Sequence, residues 1–186
     1  MTRTFDGRPV APGLVDELVD LASRAPSAGK TQGWHLVVLE GTRTALFWDA
    51  TLPPERRDDF AFPGLVAAPV IAVAVAEPDA YVARYAEADK AATGLGAGSE
   101  AWPVPYWTVD ASMAVMTLLL GAEAAGLGAL FFGVFHGEVE LRAALAIDDR
   151  HEIIGAMAIG WPAPETRPGR SAARPRRAVG ERIRRP

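Results

Sequence analysis

The pattern of apolar and polar positions predicts alternating helices and strands. Residues 13–24 carry apolar side chains at helical spacing, and Pro26 follows them, so they predict a first helix. WHLVVLE, residues 34–40, is a short valine-rich run between two glycines and predicts a largely buried strand. TRTALFWDAT after it predicts a short helix.

The next three segments predict one strand and two helices. APVIAVAVAEP starts at Pro69 and is apolar throughout, which predicts a strand buried on both faces. DAYVARYAEADKAAT favours a helix with Asp79 as a possible N-cap. VDASMAVMTLLLGAEAAG predicts a longer helix, with Asp110 as N-cap and Gly126 at its C-terminal end. A helix that is apolar on all sides lies at the centre of a fold or in an interface.

The last third of the chain completes the alternation. ALFFGVF predicts a third strand, GEVELRAALAI an amphipathic helix and HEIIGAMAIGW a fourth strand. No internal repeat or linker interrupts the sequence. We therefore expect one domain containing helices and strands, residues 1–166, followed by an arginine-rich tail, residues 167–186.

Composition excludes several classes of protein. With 49% hydrophobic and 23% charged residues, the chain is typical of a globular domain rather than a disordered or fibrous one. It has no cysteine, which excludes disulfides, thiolate nucleophiles and cysteine-ligated metals and fits a cytoplasmic protein. We expect no secretory signal, and no membrane span, because the most apolar run is shorter than about 18 residues.

Charge is concentrated at the carboxyl end. The chain has a net charge of −4, yet its last twenty residues hold eight arginines and one glutamate. Two interpretations remain open: a solvated basic tail, or a tail that contacts an anion such as a phosphate, a nucleic acid or an acidic surface.

Most familiar catalytic motifs are missing. His35, His136 and His151 are far apart and lack metal-ligand spacing, and His35 is expected to be a packed or hydrogen-bonded histidine. The sequence contains no G-x-S-x-G elbow for a nucleophilic serine. GLGAGS follows a predicted helix and lacks the lysine or acidic partner of a phosphate-binding loop, so it predicts a flexible loop.

The strongest candidate site is the stretch between the first helix and the first strand. Its backbone N–H groups and the side chains of Ser27, Lys30, Thr31 and Gln32 could converge on a polar, partly anionic ligand that approaches across Ala28 and Gly29. A plain helix-to-strand connection needs fewer polar groups. The residues alone leave this ligand unnamed.

A second candidate is the aromatic loop GLGAGSEAWPVPYW. Regular packing cannot bury all its aromatic side chains, and such residues often cover a ligand pocket.

Four segments in the same order resemble the flavin-dependent nitroreductase family. APSAGKTQGW is similar to the family's A-P-S-x-x-N-x-Q-P-W segment, and RTFDGRPV resembles the end of its amino-terminal R-R-S-x-R-x-F motif. DASMAVMTLLLGAEAAGLGALFFGVF resembles its central helix and G-L-G turn, and EIIGAMAIGWP its last strand. The resemblance extends over essentially the whole chain.

The resemblance implies a fold and a chemistry. It implies an α+β fold with a mixed sheet flanked by helices, a long buried central helix and an intertwined homodimer. It further implies one FMN in each interface pocket, reduced by NADH or NADPH.

The resemblance also implies roles for individual residues. Arg3 would face the ribityl and pyrimidine side of the flavin. Ser27, Ala28 and Gly29 would line its phosphate and ribityl chain, with Gln32 further along. Phe131 and Phe132 would pack near the isoalloxazine, and the N–H of Gly133 or Val134 would point at N5. Arg176 and Arg177 would bind the phosphate.

Two departures shift the expected contacts. Lys30 replaces the family's asparagine, which keeps a donor and adds positive charge. The sequence begins at Met1, where the family has Arg-Arg-Ser, so phosphate binding is expected to depend more on Lys30 and the C-terminal arginines.

The expected function is ping-pong reduction of nitroaromatics, quinones or similar conjugated acceptors, with no side-chain acid or base required. Trp102, Tyr106 and Trp107 would stack on the acceptor. An alternative is a protein of the same fold that binds or sequesters flavin with little turnover. A third hypothesis, the least favoured, is nucleic-acid binding by the tail.

Overall fold

The computed structural model describes residues 1–164 and 169–186. These residues contain five α-helices and four β-strands, joined by loops and short helical turns. The helices are α1 (Leu14–Ala22), α2 (Thr44–Thr51), α3 (Pro78–Ala86), α4 (Tyr106–Ala124) and α5 (Glu138–Leu145). The strands are β1 (Trp34–Glu40), β2 (Val70–Ala76), β3 (Gly128–Phe132) and β4 (Glu152–Gly160). Every predicted helix and strand is present. Arg167 and Pro168 of the predicted tail lie outside the described residues.

The four strands form one sheet in the order β1-β2-β4-β3. All three pairings are antiparallel, so β1 and β3 are its edges. The expected α+β class is confirmed, although the expected mixture of parallel and antiparallel pairs is not found among the described strands.

Helices cover both faces of the sheet. On one face Ile71, Val73 and Val75 of β2 pack in a core that includes Phe47 and Leu141 of α2 and α5. On the other face the alternate β2 residues pack against α1 and α4. Because side chains alternate along a strand, the continuous apolar run of β2 is explained by burial on both faces, as predicted.

β1 is less buried than its apolar sequence suggested. Most of its residues are half-buried, because it is an edge strand and pairs only with β2. Its seven residues nevertheless match the predicted boundaries.

α4 is the longest helix and packs across the sheet beside α1. It ends as predicted: Gly126 is left-handed at φ 77°, and the N–H of Leu127 donates to the carbonyl of Ala122 at 2.9 Å. One side of α4 is not covered by the protomer. Met116 and Leu120, one turn apart, are 51% and 60% exposed.

None of the helices among the described residues is long and apolar enough to cross a membrane.

Candidate functional site

The first part of the predicted site is the turn between α1 and β1, residues 27–32. Much of its polar capacity is used internally. The backbone N–H of Gln32 donates to the Ser27 hydroxyl oxygen at 2.8 Å, and the Gln32 side-chain amide donates to the Ser23 carbonyl at 2.7 Å. The Thr31 hydroxyl donates to the Ala28 carbonyl at 2.6 Å. Lys30 is exposed, so its ammonium is the main charged group that the turn presents outward.

A buried carboxylate of α4 is hydrogen-bonded to this turn. Asp110 is 2% exposed, and its Oδ2 accepts hydrogen bonds from the Ala28 N–H at 2.7 Å and from the Tyr81 hydroxyl at 2.8 Å. The prediction that Asp110 caps its own helix is wrong. α4 begins at Tyr106, after Pro105, so Asp110 lies inside the helix and its carboxylate is directed at the turn.

Three residues of α3 complete this support. Burial, and then the hydrogen bond to Asp110, raise the pKa of Tyr81 above its ordinary value. The Arg84 Nε–H donates to the Gly29 carbonyl at 3.0 Å. Tyr85 packs so closely on Gly29 that a Cβ there would lie 2.9 Å from its ring. The turn therefore requires glycine at this position.

The supported turn contains strained backbone. Lys30 and Gln32 have left-handed φ values of 54° and 53°, a conformation that costs a non-glycine residue about 1 kcal/mol or more. Such strain persists where the surroundings determine the conformation, and it is common at binding sites. The geometry of this turn is therefore consistent with a functional role.

The second part of the predicted site begins at the end of β3. Phe131 and Phe132 point to opposite faces of the sheet. Phe132 lies parallel to the Trp48 ring of α2, with ring centres 6.2 Å apart, whereas Phe131 packs in the layer of α1 and α4. The two rings therefore lie in different layers of the fold, although both residues border the cavity described next.

A cavity of about 520 Å³ opens beside the end of β3 on the α2 face. We call it the aromatic cavity; its aromatic lining residues are Phe47, Trp48, Phe60, Phe62, Phe131, Phe132 and Phe135. Gly133 and Val134 also border it. A Cβ on Gly133 would lie 2.8 Å from the Phe135 ring, so the glycine lets this ring cover the backbone.

The charged side chains at this cavity are basic. Arg3 and Arg56 line it, and the Arg3 guanidinium lies 5.6 Å from the centre of the Phe62 ring. Among the described residues, neither arginine forms an ion pair, and the lining includes no aspartate or glutamate. The cavity is therefore suited to a flat ligand with negative charge.

The two parts of the site lie at opposite edges of the sheet. Residues 27–32 lead into β1, and Gly133 follows β3, with β2 and β4 between these edges. Three strand spacings of about 4.8 Å separate the edges by roughly 14 Å. One protomer therefore does not bring the two groups of predicted residues into one pocket.

The aromatic loop is packed rather than open. Trp102 and Trp107 are buried with Tyr81, and the Trp102 Nε1–H donates to the Leu95 carbonyl at 3.0 Å. Tyr106 is the exposed member of the three predicted stacking residues. The glycine-rich part of this loop forms short helical turns.

Arg176 and Arg177 lie in the tail, where residues 171–186 are all exposed. Among the described residues of the protomer, neither arginine forms an ion pair or a hydrogen bond with either part of the predicted site.

His35 is hydrogen-bonded, as expected. Its Nδ1 lies 2.6 Å from the Glu77 carboxylate, and its ring contacts the His151 ring edge-on. The described part of the chain contains no cluster of three or more side chains that could hold a metal ion.

With this geometry established, comparison with known proteins identifies the family. The family model for the nitroreductase family matches residues 1–161. The chain belongs to the nitroreductase family. It is 30% identical over 177 residues to 5,6-dimethylbenzimidazole synthase of Rhodospirillum rubrum, covering 88% of this chain and 78% of that protein.

Two further relatives carry names that mention cofactors. An Archaeoglobus fulgidus protein, whose name combines NADH dehydrogenase and NAD(P)H nitroreductase, is 23% identical over 166 residues, covering 88% of this chain and 80% of that protein. The structure of an FMN-dependent nitroreductase from Clostridium difficile superposes with a TM-score of 0.64 at 18% identity, covering 88% and 83% of the two chains. This likeness shows the nitroreductase fold.

Sequence reasoning missed several residues of the candidate site. Asp110 and Tyr81 hold the turn, and Trp48, Phe60 and Arg56 line the aromatic cavity. α4 contains two carboxylates, Asp110 and Glu123, and the position of Asp110 in an apolar stretch was a usable signal, because a buried charge requires partners. The other four gave no signal, since their neighbours come from distant parts of the chain.

Proposed function

We propose that this nitroreductase-family protein is an FMN-dependent NAD(P)H oxidoreductase that reduces nitroaromatics, quinones or similar conjugated acceptors as a homodimer. The observation that carries the proposal is the separation of its two groups of site residues at opposite edges of one sheet. A second copy can supply the missing half of each pocket, so two copies would form two complete sites.

The aromatic cavity fits one side of a flavin. Its walls include flat aromatic rings, and at Gly133, which has no side chain of its own, only the exposed Phe135 ring lies over the backbone. The N–H of Gly133 or Val134 would donate to the ring nitrogen N5, and Arg3 would place positive charge beside the pyrimidine edge. Both contacts favour the reduced, anionic form of the ring.

The turn of residues 27–32 would hold the phosphate end. Ser27, Ala28, Gly29 and Gln32 shape a rigid surface, and Lys30 supplies an outward positive charge. Arg176 and Arg177 of the exposed tail would add to this charge. Arginine and lysine near a phosphate form charge-assisted hydrogen bonds, which are stronger than neutral ones.

When bound, FMN supplies the hydride chemistry, alternating between NAD(P)H and the acceptor. The chain's own residues orient the ring, exclude water with the aromatic walls and provide the charge that stabilises reduction. Tyr106 is the exposed aromatic side chain at the start of α4 and the best placed of the three predicted residues to contact an acceptor.

The exposed apolar side of α4 supports the homodimer. Met116 and Leu120 lie in a helix whose other side packs against the sheet, and Leu21 of α1 lies against the adjacent Gly121. Burying such a surface against a second copy would remove apolar area from water, which is the main driving force for stable association.

An absorption spectrum tests the proposal directly. Purified protein mixed with FMN and freed of excess ligand should retain the yellow flavin spectrum. Anaerobic addition of NADH or NADPH should bleach it, and 1,4-naphthoquinone should restore it. Protein that stays colourless contradicts the proposal. Flavin that binds but resists bleaching by both nicotinamides would instead support a sequestering protein.

A further inference from the structure

We propose that the aromatic cavity selects acceptors that combine a flat aromatic ring with an anionic group, and that Arg56 and Phe135 determine this selectivity. The inference rests on the proposed function and names the acceptor class of the same site: the acceptor would occupy the part of the aromatic cavity that the flavin leaves open. It starts from two side chains of the cavity to which neither the motifs nor the family resemblance gave a role.

The first observation is the composition of the walls. Beside the Gly133 backbone, Trp48 and Phe132 stack in parallel, and the Phe60 ring lies 6.1 Å from that of Trp48. Trp48 is itself buried and supports the others, so the rings that a ligand can reach here are those of the half-buried Phe60 and Phe132 and the exposed Phe62. A flat aromatic molecule gains the most from such walls, because ring stacking adds to the burial of apolar area.

The second observation is the charge at the mouth. Arg56 is exposed and lines the cavity, and no ion pair to it exists in the described part of the chain. Arg57 provides a contrast, because it pairs with Asp49 and donates to the Leu52 carbonyl. Arg56 is therefore available for an anionic group that remains partly in water at the mouth, where the cost of burying its charge is small.

The third observation is an exposed aromatic ring that lies over the Gly133 backbone. Phe135 is 85% exposed, although large apolar side chains at such exposure require an explanation. Its ring covers Gly133, the residue whose backbone would face the flavin. An acceptor that reaches this position must stack on Phe135 or displace it, so the ring selects for flat molecules.

The reaction remains a balanced two-electron transfer. A quinone of this class gains two electrons and two protons, one proton arriving with the hydride that originates from NADH or NADPH and one from solvent. Its two C=O groups become C–OH groups, and the nicotinamide leaves in its oxidised form. The anionic substituent takes no part in the chemistry and acts only in binding.

Two quinones test the role of charge. We compare kcat/KM for 1,4-naphthoquinone-2-sulfonate and neutral 1,4-naphthoquinone in the FMN-loaded protein, and use the ratio of the two values to report selectivity. Arg56→Ala should lower this ratio about tenfold at low salt, chiefly through KM. Arg43→Ala, an exposed arginine outside the cavity, should leave it unchanged. Comparing ratios between variants cancels the different reduction potentials of the two quinones.

The ring of Phe135 is tested with the same pair. Phe135→Ala should raise KM for both quinones by a similar factor and leave their ratio unchanged. If Phe135→Ala changes neither KM, the stacking role is overturned.

A binding measurement separates the inference from the proposed function. FMN affinity of Arg56→Ala should stay within twofold of the wild-type value. If it falls and both quinones slow equally, Arg56 binds the cofactor and the inference is wrong. If wild-type protein reduces neither quinone, the proposed function fails. Quenching of tryptophan fluorescence by 2-naphthalenesulfonate and 2-naphthol then decides the inference: preference for the sulfonate that Arg56→Ala abolishes supports it, and equal binding overturns it.

Discussion

The Asp110 carboxylate and the Ala28 N–H, separated by 82 residues in sequence, form a 2.7 Å hydrogen bond in which the carboxylate is buried. The same oxygen also accepts from Tyr81. α4, α3 and the turn before β1 are thereby joined through one oxygen atom. The turn that carries Lys30 has its shape set by this atom as much as by its own sequence.

Removing the carboxylate should loosen the turn. Asp110→Ala leaves the Ala28 N–H and the Tyr81 hydroxyl without their acceptor, and we expect a loss of about 3 kcal/mol in the free energy of unfolding. Urea denaturation measures it. Asp16→Ala, an exposed acidic residue in the first turn of α1, serves as control and should change stability by less than about 0.5 kcal/mol. Equal effects of the two substitutions would show that Asp110 does not support the turn.

Stability should fall in alkali because of Tyr81. Its pKa is raised in the folded state, so above a pH of about 10 the unfolded chain loses this proton while the folded chain keeps it. The stabilisation is complete below that pH and decreases above it, by at most about 1.4 kcal/mol per pH unit. Chemical denaturation between pH 8 and pH 11 measures the slope. In Tyr81→Phe the loss of stability with pH that is due to the Tyr81 hydroxyl should be absent. If the slope is the same in this variant, Tyr81 is not the group responsible.

Replacing Lys30 with glycine should change stability and FMN affinity in opposite directions. Lys30→Gly relieves the left-handed strain and should raise the free energy of unfolding by about 1 kcal/mol. It also removes a positive charge, so FMN affinity should fall several-fold. Thermal denaturation and fluorescence titration with FMN give the two values.

Ala146 provides the matched control for that substitution. It has φ 53° at the end of α5, outside both parts of the site. Ala146→Gly should give a similar gain in stability with unchanged FMN affinity. If both variants lose affinity equally, the charge of Lys30 is not the cause.

The tail arginines should differ in their effect on the cofactor. The double substitution of Arg176 and Arg177 by alanine should weaken FMN binding about tenfold at low salt, and less as salt rises. Substituting Arg184 and Arg185 together removes the same charge from the same exposed tail and should have little effect. Equal losses would mean that the tail acts only through its total charge.

A charge on α4 should disrupt the assembly. Leu120→Glu places a carboxylate in the surface assigned to the homodimer, where burying it is costly. Sedimentation velocity should show a monomer, with loss of bound FMN. Val139→Glu introduces the same charge on the exposed side of α5 and should leave the oligomeric state unchanged. A wild-type monomer would contradict the shared site.

The spacing of apolar residues predicted the helices and strands, because within each element it reflects which faces are buried. The apolar run of β2 required two covered faces, and these were found. The apolar α4 was expected at the centre of the fold or in an interface; one of its sides packs against the sheet and α1, and the other leaves Met116 and Leu120 exposed. The antiparallel pairing of β2 with β4 was not predictable, because it depends on how α3, α4, β3 and α5 carry the chain between them.

The candidate site was less predictable than the fold. The small residues of the 27–32 turn marked its position, but the partners of its polar groups come from α1, α3 and α4. Trp102 and Trp107 were expected to line a pocket, and the structure places them in an aromatic cluster around Tyr81. Loop composition indicates that aromatic residues are available, whereas packing decides which remain exposed.

The opposite orientation of Phe131 and Phe132 limits how this region can change in length. Inserting or deleting one residue early in β3 would exchange the two rings between the layers, because side chains alternate with a period of two. A phenylalanine ring would still face Trp48, because both residues are phenylalanines. Leu130, however, would leave the core of that face and Ala129 would take its place, which removes apolar volume beside the aromatic cavity while the strand still pairs. Homologous chains that keep this cavity should therefore vary freely in the loops around β3 but hold its residue count constant.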